Sequence, residues 1–147
     1  MTLKASTGLR NQLCDTGSLK SILAGGYIKL YSGTPPATAD AAIDVSNVLL
    51  CTITAAAGAG LTLGTAVSGA IPKTASETWS GVNSAGGVAT FYRHAAVGDT
   101  AIVSTTQARV QGTISMVGDD MNLTAGTTLV NGATQTLNLY QLYIPTL

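Results

Sequence analysis

The chain has few charged residues. Lys, Arg, Asp and Glu make up 10% of its 147 residues, against about 25% in an ordinary soluble domain. Seven basic and seven acidic side chains give a formal net charge of zero. Because binding to nucleic acid requires a basic surface that releases counterions from phosphates, this composition argues against a nucleic-acid partner. A neutral chain associates readily, which suits a protein that works in an assembly, although a quiet soluble domain fits the composition equally well.

Residues that commonly carry chemistry are scarce. His94 is the only histidine, and no serine has the Gly-x-Ser-x-Gly surroundings of a hydrolase nucleophile. The adjacent pair Asp119 and Asp120 lacks the spaced series of acidic residues that completes a calcium site, so solvated turn residues are the favoured interpretation. We therefore predict that the chain is not an enzyme, and we assign no catalytic, cofactor-binding or metal-binding residue.

Two cysteines, Cys14 and Cys51, are present, and neither has Cys-x-x-Cys or zinc-like spacing. We expect both to be reduced thiols that pack as small apolar side chains. The first residues contain no apolar stretch typical of a secretion signal, and glycines interrupt the apolar segment 48–71. We therefore expect synthesis in the cytoplasm and no membrane partner.

Alternating residue types predict a strand over 108–117. The even positions from Ala108 to Met116 are apolar apart from Gly112, while the odd positions, Arg109 among them, are polar. A period of two predicts one face in the core and one face in water. The missing side chain at Gly112 predicts a bulge or the close approach of another backbone.

Further short strands with polar turns fill the rest of the chain. Asn131-Gly132 is a strong hairpin signal, and a change of apolar phase predicts a bulge near 139–141. Segment 48–53 is apolar on both faces at its start, which favours a central position. About eight short strands predict an all-β fold, preferably a jelly-roll-like β-sandwich. The other predicted strands cover 27–31, 88–94, 101–103, 121–123, 128–130 and 134–144.

The N-terminal residues have helical signals. Ser6-Thr7-Gly8 offers cap residues ahead of a short helix over 9–14, and Ser18 is a suitable cap for a second short helix that would end at Gly25-Gly26. Such short helices are unstable alone and must pack on the sheet or on a neighbouring subunit. We therefore divide the chain into an N-terminal helical arm, 1–26, and a β-sandwich domain, 27–147.

The segment 55–75 is rich in Ala, Gly and Thr. Its partial alternation of apolar and small residues is compatible with an extended pair of strands, and its composition is equally compatible with a long loop. A loop of this length inside a compact domain is commonly functional. In an assembly protein it would be a natural segment to reach a neighbour.

Several segments resemble small virion proteins of tailed bacteriophages. The most specific is 27–42, Tyr-Ile-Lys-Leu-Tyr-Ser-Gly-Thr-Pro-Pro-Ala-Thr-Ala-Asp-Ala-Ala. Weaker similarity covers 112–115 leading into 121–123, then Val-Asn-Gly at 130–132 and Leu-Tyr-Ile-Pro at 142–145. Together these segments comprise about a fifth of the chain.

The resemblance implies a structural protein of a phage particle. Its first implication is a capsid cement or decoration protein, made in the host cytoplasm and located on the capsid exterior. Such proteins are typically β-sandwich modules that form dimers or trimers, bind the phage major capsid protein and bridge neighbouring capsomers. The second implication is a tail, collar or fibre-associated component. A small β-sandwich hydrolase acting through His94 or the Asp119–Asp120 pair is the alternative from a different class.

Overall fold

A computed structural model describes residues 3–143 of the chain. Helices α1 (Thr7–Asp15) and α2 (Leu19–Leu23) lie near the N-terminus, and a single 3-10 turn covers Ala56–Gly58. The remaining regular structure is β-strand. The strands are β1 (Lys4–Ala5), β2 (Tyr27–Tyr31), β3 (Leu49–Ile53), β4 (Ala70–Pro72), β5 (Trp79–Val82), β6 (Gly87–Val88), β7 (Phe91–Ala95), β8 (Arg109–Ser115), β9 (Met121–Asn122), β10 (Thr128–Leu129), β11 (Thr134–Leu137) and β12 (Gln141–Tyr143).

One sheet forms the main layer. Its strand order is β1-β8-β7-β2-β3, with every neighbouring pair antiparallel, and the short strand β9 pairs in parallel with β8. β8 is the longest strand, and both β1 and β9 lie along the same edge of it, opposite β7. The alternation over 108–117 therefore predicted correctly a strand around which the sheet is built.

Three two-stranded ladders form a second layer: β10 with β6, β11 with β5, and β12 with β4. Their buried aromatic residues meet those of the main sheet in one core. The ring of Tyr140 lies 5.7 Å from that of Trp79 and 6.0 Å from that of Tyr92, so the second layer packs directly on β7. This arrangement confirms the predicted all-β, sandwich-like class with a short N-terminal helical segment.

Both predicted helix starts are confirmed. The Ser6 side chain accepts a hydrogen bond from the Leu9 backbone N–H at 3.1 Å, and Ser18 forms a capping box with Ser21. Three apolar side chains of these helices, Leu9, Leu19 and Leu23, are buried in the same core as the sheet residues. The boundary between 1–26 and 27–147 stays a prediction about folding units, but side-chain packing joins the two parts.

Several strand predictions are wrong in detail. Residues 101–103 form a bent loop, since Ala101 has a positive φ of 61° and the carbonyls of Ala101 and Ile102 accept hydrogen bonds from Ile43 and Arg109 and not from a strand. β3 lies at the end of the main sheet and not at its centre, since its outer edge meets β5 only through isolated bridges. Segment 55–75 is mostly irregular, yet it buries Leu61 and Leu63, so it is part of the core.

The C-terminal third follows the predicted turns but not the predicted pairing. Gly132 has a positive φ of 81° in a turn closed by a hydrogen bond from the Ala133 N–H to the Val130 carbonyl. However, the strands on either side pair with β6 and β5 and not with each other, so this turn closes no hairpin. The strand predicted over 134–144 with a bulge near 139–141 is instead two strands, β11 and β12, in different ladders. Its predicted end at Ile144 lies outside the described residues.

Candidate interaction surface

The outer face of the main sheet carries buried polar residues. Arg109 and Gln111 were predicted to face water, but they are 0% and 2% exposed, so this prediction is wrong. Loop segments 35–45 and 97–107 cover this face and contribute backbone carbonyls to it. Arg93, Arg109, Asp99 and Gln111 together are the arginine cluster.

Arg109 joins both covering loops. Its Nε donates to an Asp99 carboxylate oxygen at 2.7 Å, and one terminal nitrogen donates to the Ile102 carbonyl at 2.7 Å. The other terminal nitrogen lies 3.3 Å from the Ala39 carbonyl and 3.4 Å from the Asp40 carbonyl. Because the planar guanidinium presents its donors in a fixed fork, one side chain determines the relative position of two loops.

Arg93 holds the first loop from an adjacent strand. One of its terminal nitrogens donates to the Ala41 carbonyl at 3.0 Å, and the other donates to the Gln111 side-chain oxygen at 2.6 Å. Gln111 in turn donates to the Pro36 carbonyl at 2.8 Å. Burial, and next the positive charge of Arg109, lower the pKa of Arg93 to about 10, so it remains charged at neutral pH.

The N-terminal segment is fastened to the same loops. The Thr7 backbone N–H and hydroxyl donate to the two carboxylate oxygens of Asp40 at 2.8 and 2.7 Å. Ser6 donates to the Gln107 carbonyl at 2.8 Å. Although desolvation acts in the opposite direction, the hydrogen bonds from Thr7 lower the pKa of Asp40. Three separate parts of the chain are thus held together above the sheet.

These fixed loops display apolar side chains to solvent. Val45, Ile102 and Val103 are 102%, 61% and 69% exposed, and Ile43 is partly exposed. A hydrogen bond of 3.1 Å from the Ile43 N–H to the Ala101 carbonyl holds the two loops side by side. We call these four apolar residues the loop surface. Exposed apolar residues gathered on adjoining loops mark a protein-binding site more often than scattered ones do.

His94 lies on the opposite, core-facing side of β7. It is fully buried, and its Nδ1 is 3.0 Å from the Tyr140 hydroxyl. Burial lowers its pKa to about 3, so it is neutral at physiological pH. Asp99 does not orient it, because that carboxylate is paired with Arg109. The structure therefore places no carboxylate of Asp99 beside the candidate catalytic residue His94.

The acidic pair Asp119 and Asp120 lies beside β8. The Thr113 hydroxyl is 3.1 Å from an Asp119 carboxylate oxygen, and the Thr113 N–H donates to Asp120 at 3.0 Å. The prediction of a bulge or a nearby backbone at Gly112 is wrong: an added Cβ would come within 2.7 Å of the Asp120 Cβ, so a side chain makes the close approach. Within residues 3–143, no group of three or more His, Cys, Asp and Glu residues is placed to hold a metal.

The cysteines have different environments. Cys51 is buried in the core, where burial raises the pKa of its thiol to about 11, as expected for an inert apolar side chain. Cys14 is exposed, so the prediction that it packs as an apolar residue is wrong. Both thiols are free.

In the described part of the chain, no helix has the length and apolar character needed to cross a membrane.

Sequence reasoning missed the arginine cluster, because alternation of polar and apolar residues does not distinguish a solvated face from a polar face covered by loops. Two arginines on adjacent strands with few acidic neighbours were the available signal. The geometry defines an all-β module that presents rigid apolar loops. No protein-family model, no curated protein and no solved structure matches this chain.

Proposed function

We propose that this chain is a structural protein of a tailed-phage particle, specifically a capsid cement or decoration protein that binds the major capsid protein on the outside of the shell. The loop surface is the observation that carries this proposal. The arginine cluster fixes it in place, so little loop entropy is lost on binding. The similarity of segment 27–42 to phage virion proteins supports the same function, and that segment includes part of the first loop.

A cement protein can attach strongly to the shell because each copy makes several contacts with it. Each copy that bridges neighbouring capsomers makes its later contacts intramolecular, so modest interfaces add up to stable attachment. Association into dimers or trimers would place several loop surfaces together and increase this effect. Binding to the assembled shell and not to separated subunits stabilises the shell by mass action.

The proposal excludes enzymatic activity, nucleic-acid binding and membrane binding as the role of the chain. A tail, collar or fibre-associated virion component is the second candidate, because the same resemblance supports it. The position of the protein on particles distinguishes the two: labelled antibody should coat the whole capsid for a cement protein and mark one end of the particle for a tail component.

Binding of loop variants to shells that lack this protein tests the interaction surface. The double variant Val45→Asp and Ile102→Asp introduces two charges into the loop surface and should abolish shell binding. Val130→Asp is the matched control, since Val130 is 66% exposed on a turn outside both loops. Equal binding by the double variant and the control would contradict the proposal, provided that both proteins have the thermal stability of the wild type.

A further inference from the structure

An acidic residue lies within the loop surface. Asp44 is placed between Ile43 and Val45 in the first covering loop, and its side chain is exposed. The hydrogen bond from the Ile43 N–H to the Ala101 carbonyl holds this segment beside the second loop, which carries the other two apolar residues of that surface. Any partner that covers the apolar side chains therefore meets this carboxylate as well.

The two covering loops contain charge of one sign. Their three charged residues are all acidic: Asp40, Asp44 and Asp99. The Asp40 carboxylate accepts two hydrogen bonds from Thr7, and the buried Asp99 is paired with Arg109. Both of these carboxylates are engaged within the molecule, so Asp44 is the one that is left to meet a partner.

The Asp44 carboxylate is ionised and held in place by Ser46. Its Oδ1 accepts hydrogen bonds from the Ser46 hydroxyl at 2.7 Å and from the Ser46 N–H at 2.8 Å. These bonds, that of the hydroxyl first, lower the pKa of Asp44, so the residue is charged at neutral pH. Among residues 3–143, no basic side chain forms an ion pair with it.

A fixed carboxylate within an apolar surface discriminates among partners. It repels nucleic acid and anionic lipid headgroups. A second copy of the chain, bound through the same surface about a two-fold axis, would bring two Asp44 carboxylates into one interface with no cation between them. A protein surface that combines apolar side chains with a lysine or arginine gains both from burial and from charge pairing.

We propose that the loop surface recognises an apolar patch that carries a lysine or arginine, and that this basic group pairs with Asp44. The inference rests on the proposed function, because the patch then belongs to the major capsid protein in the shell. The apolar residues supply most of the affinity, and Asp44 selects the charge of the partner.

Shell binding by charge variants of Asp44 tests the proposal. Asp44→Asn keeps an acceptor for Ser46 and removes the charge, so binding should weaken about two- to fivefold, as expected for one exposed ion pair. Asp44→Lys should weaken binding at least about tenfold, since like charges then face each other. Asp15→Asn and Asp15→Lys are the matched controls and should bind as the wild type does, because Asp15 is exposed at the end of α1, outside both loops.

Salt dependence shows whether the contact is electrostatic. The wild type should bind more tightly than Asp44→Asn at low salt. In about 1 M NaCl, where the Debye length is about 3 Å, the two affinities should become equal.

Three results would overturn the proposal. They are wild-type affinity of both Asp44 variants, tighter binding by Asp44→Lys than by the wild type, and a wild-type dimer that the double variant of the loop surface converts to a monomer. The first two, in a protein that binds shells, would leave the proposed function intact, and the third would show an interface between copies of this chain. Failure of the wild type to bind shells would contradict the proposed function and this inference with it.

Discussion

Acid should destabilise this protein through its buried histidine. His94 has a folded-state pKa of about 3, lowered by burial from its usual value of 6.5. Its Nδ1 contacts the Tyr140 hydroxyl, and Nε2 has no protein hydrogen-bond partner among the described residues. Between these two pKa values, the unfolded chain binds a proton at this position and the folded chain does not. The stability that neutral His94 contributes is therefore complete above pH 6.5 and is lost as the pH falls below it.

The magnitude follows from the pKa difference. Each pH unit below 6.5 costs about 1.4 kcal/mol for one proton, so at pH 4.5 the loss is on the order of 3 kcal/mol. This is a large part of the stability of a domain, which is typically about 5–15 kcal/mol. Carboxylates such as Glu77, whose pKa is lowered by hydrogen bonds despite desolvation, also lose stability in acid. A variant without the histidine separates the two contributions.

Urea unfolding at pH 7.5 and pH 4.5 measures the effect, with fluorescence of Trp79 as the signal because it is the sole tryptophan and is fully buried. His94→Gln keeps a polar group near Tyr140 and does not titrate. The wild type should lose about 3 kcal/mol more than this variant between the two pH values. An equal loss in both proteins would refute the reasoning, since the histidine would then not be held neutral by the core.

Three further predictions concern stability. Gly81→Ala should destabilise the fold by more than about 3 kcal/mol in the same urea titration, because the added Cβ would lie 2.0 Å from the Thr52 backbone oxygen. Gly86→Ala should be nearly neutral, because the added Cβ would have no atom nearer than 3.5 Å. Arg109→Met should cost about 3–5 kcal/mol, since it leaves the buried Asp99 carboxylate uncompensated, and adding Asp99→Leu should recover part of that loss in thermal melts. Deletion of 1–24 removes three buried core leucines, so circular dichroism should show an unfolded chain; a folded truncated protein would mean that the helices are a separable arm.

The sequence predicted which residues form the central strand but not what covers it. Alternation identified β8, but the bulge or backbone approach expected at Gly112 is absent, because side chains of Asp120 and Tyr92 fill that space. The odd positions were assigned to water because polar residues usually are solvated. Arg109 and Gln111 instead bind loop carbonyls, and a loop that folds back over a sheet leaves no periodic signal. The candidate interaction surface therefore became visible only with the fold.

Helix caps and turns could be predicted from the sequence more accurately than the pairing of strands. Caps at Ser6 and Ser18 and the turn at Gly132 depend on neighbouring residues, and each is present. The pairing of β10 with β6 and of β11 with β5 joins residues that are far apart in the sequence. Those partners are selected by burial in the shared core and not by the turn between them.

The central claim is that the chain is part of a phage capsid. Quantitative mass spectrometry of purified virions measures its copy number relative to the major capsid protein. The account predicts a number close to that of the capsid protein, with release of the protein accompanied by loss of shell stability. Complete absence from the particles would contradict it.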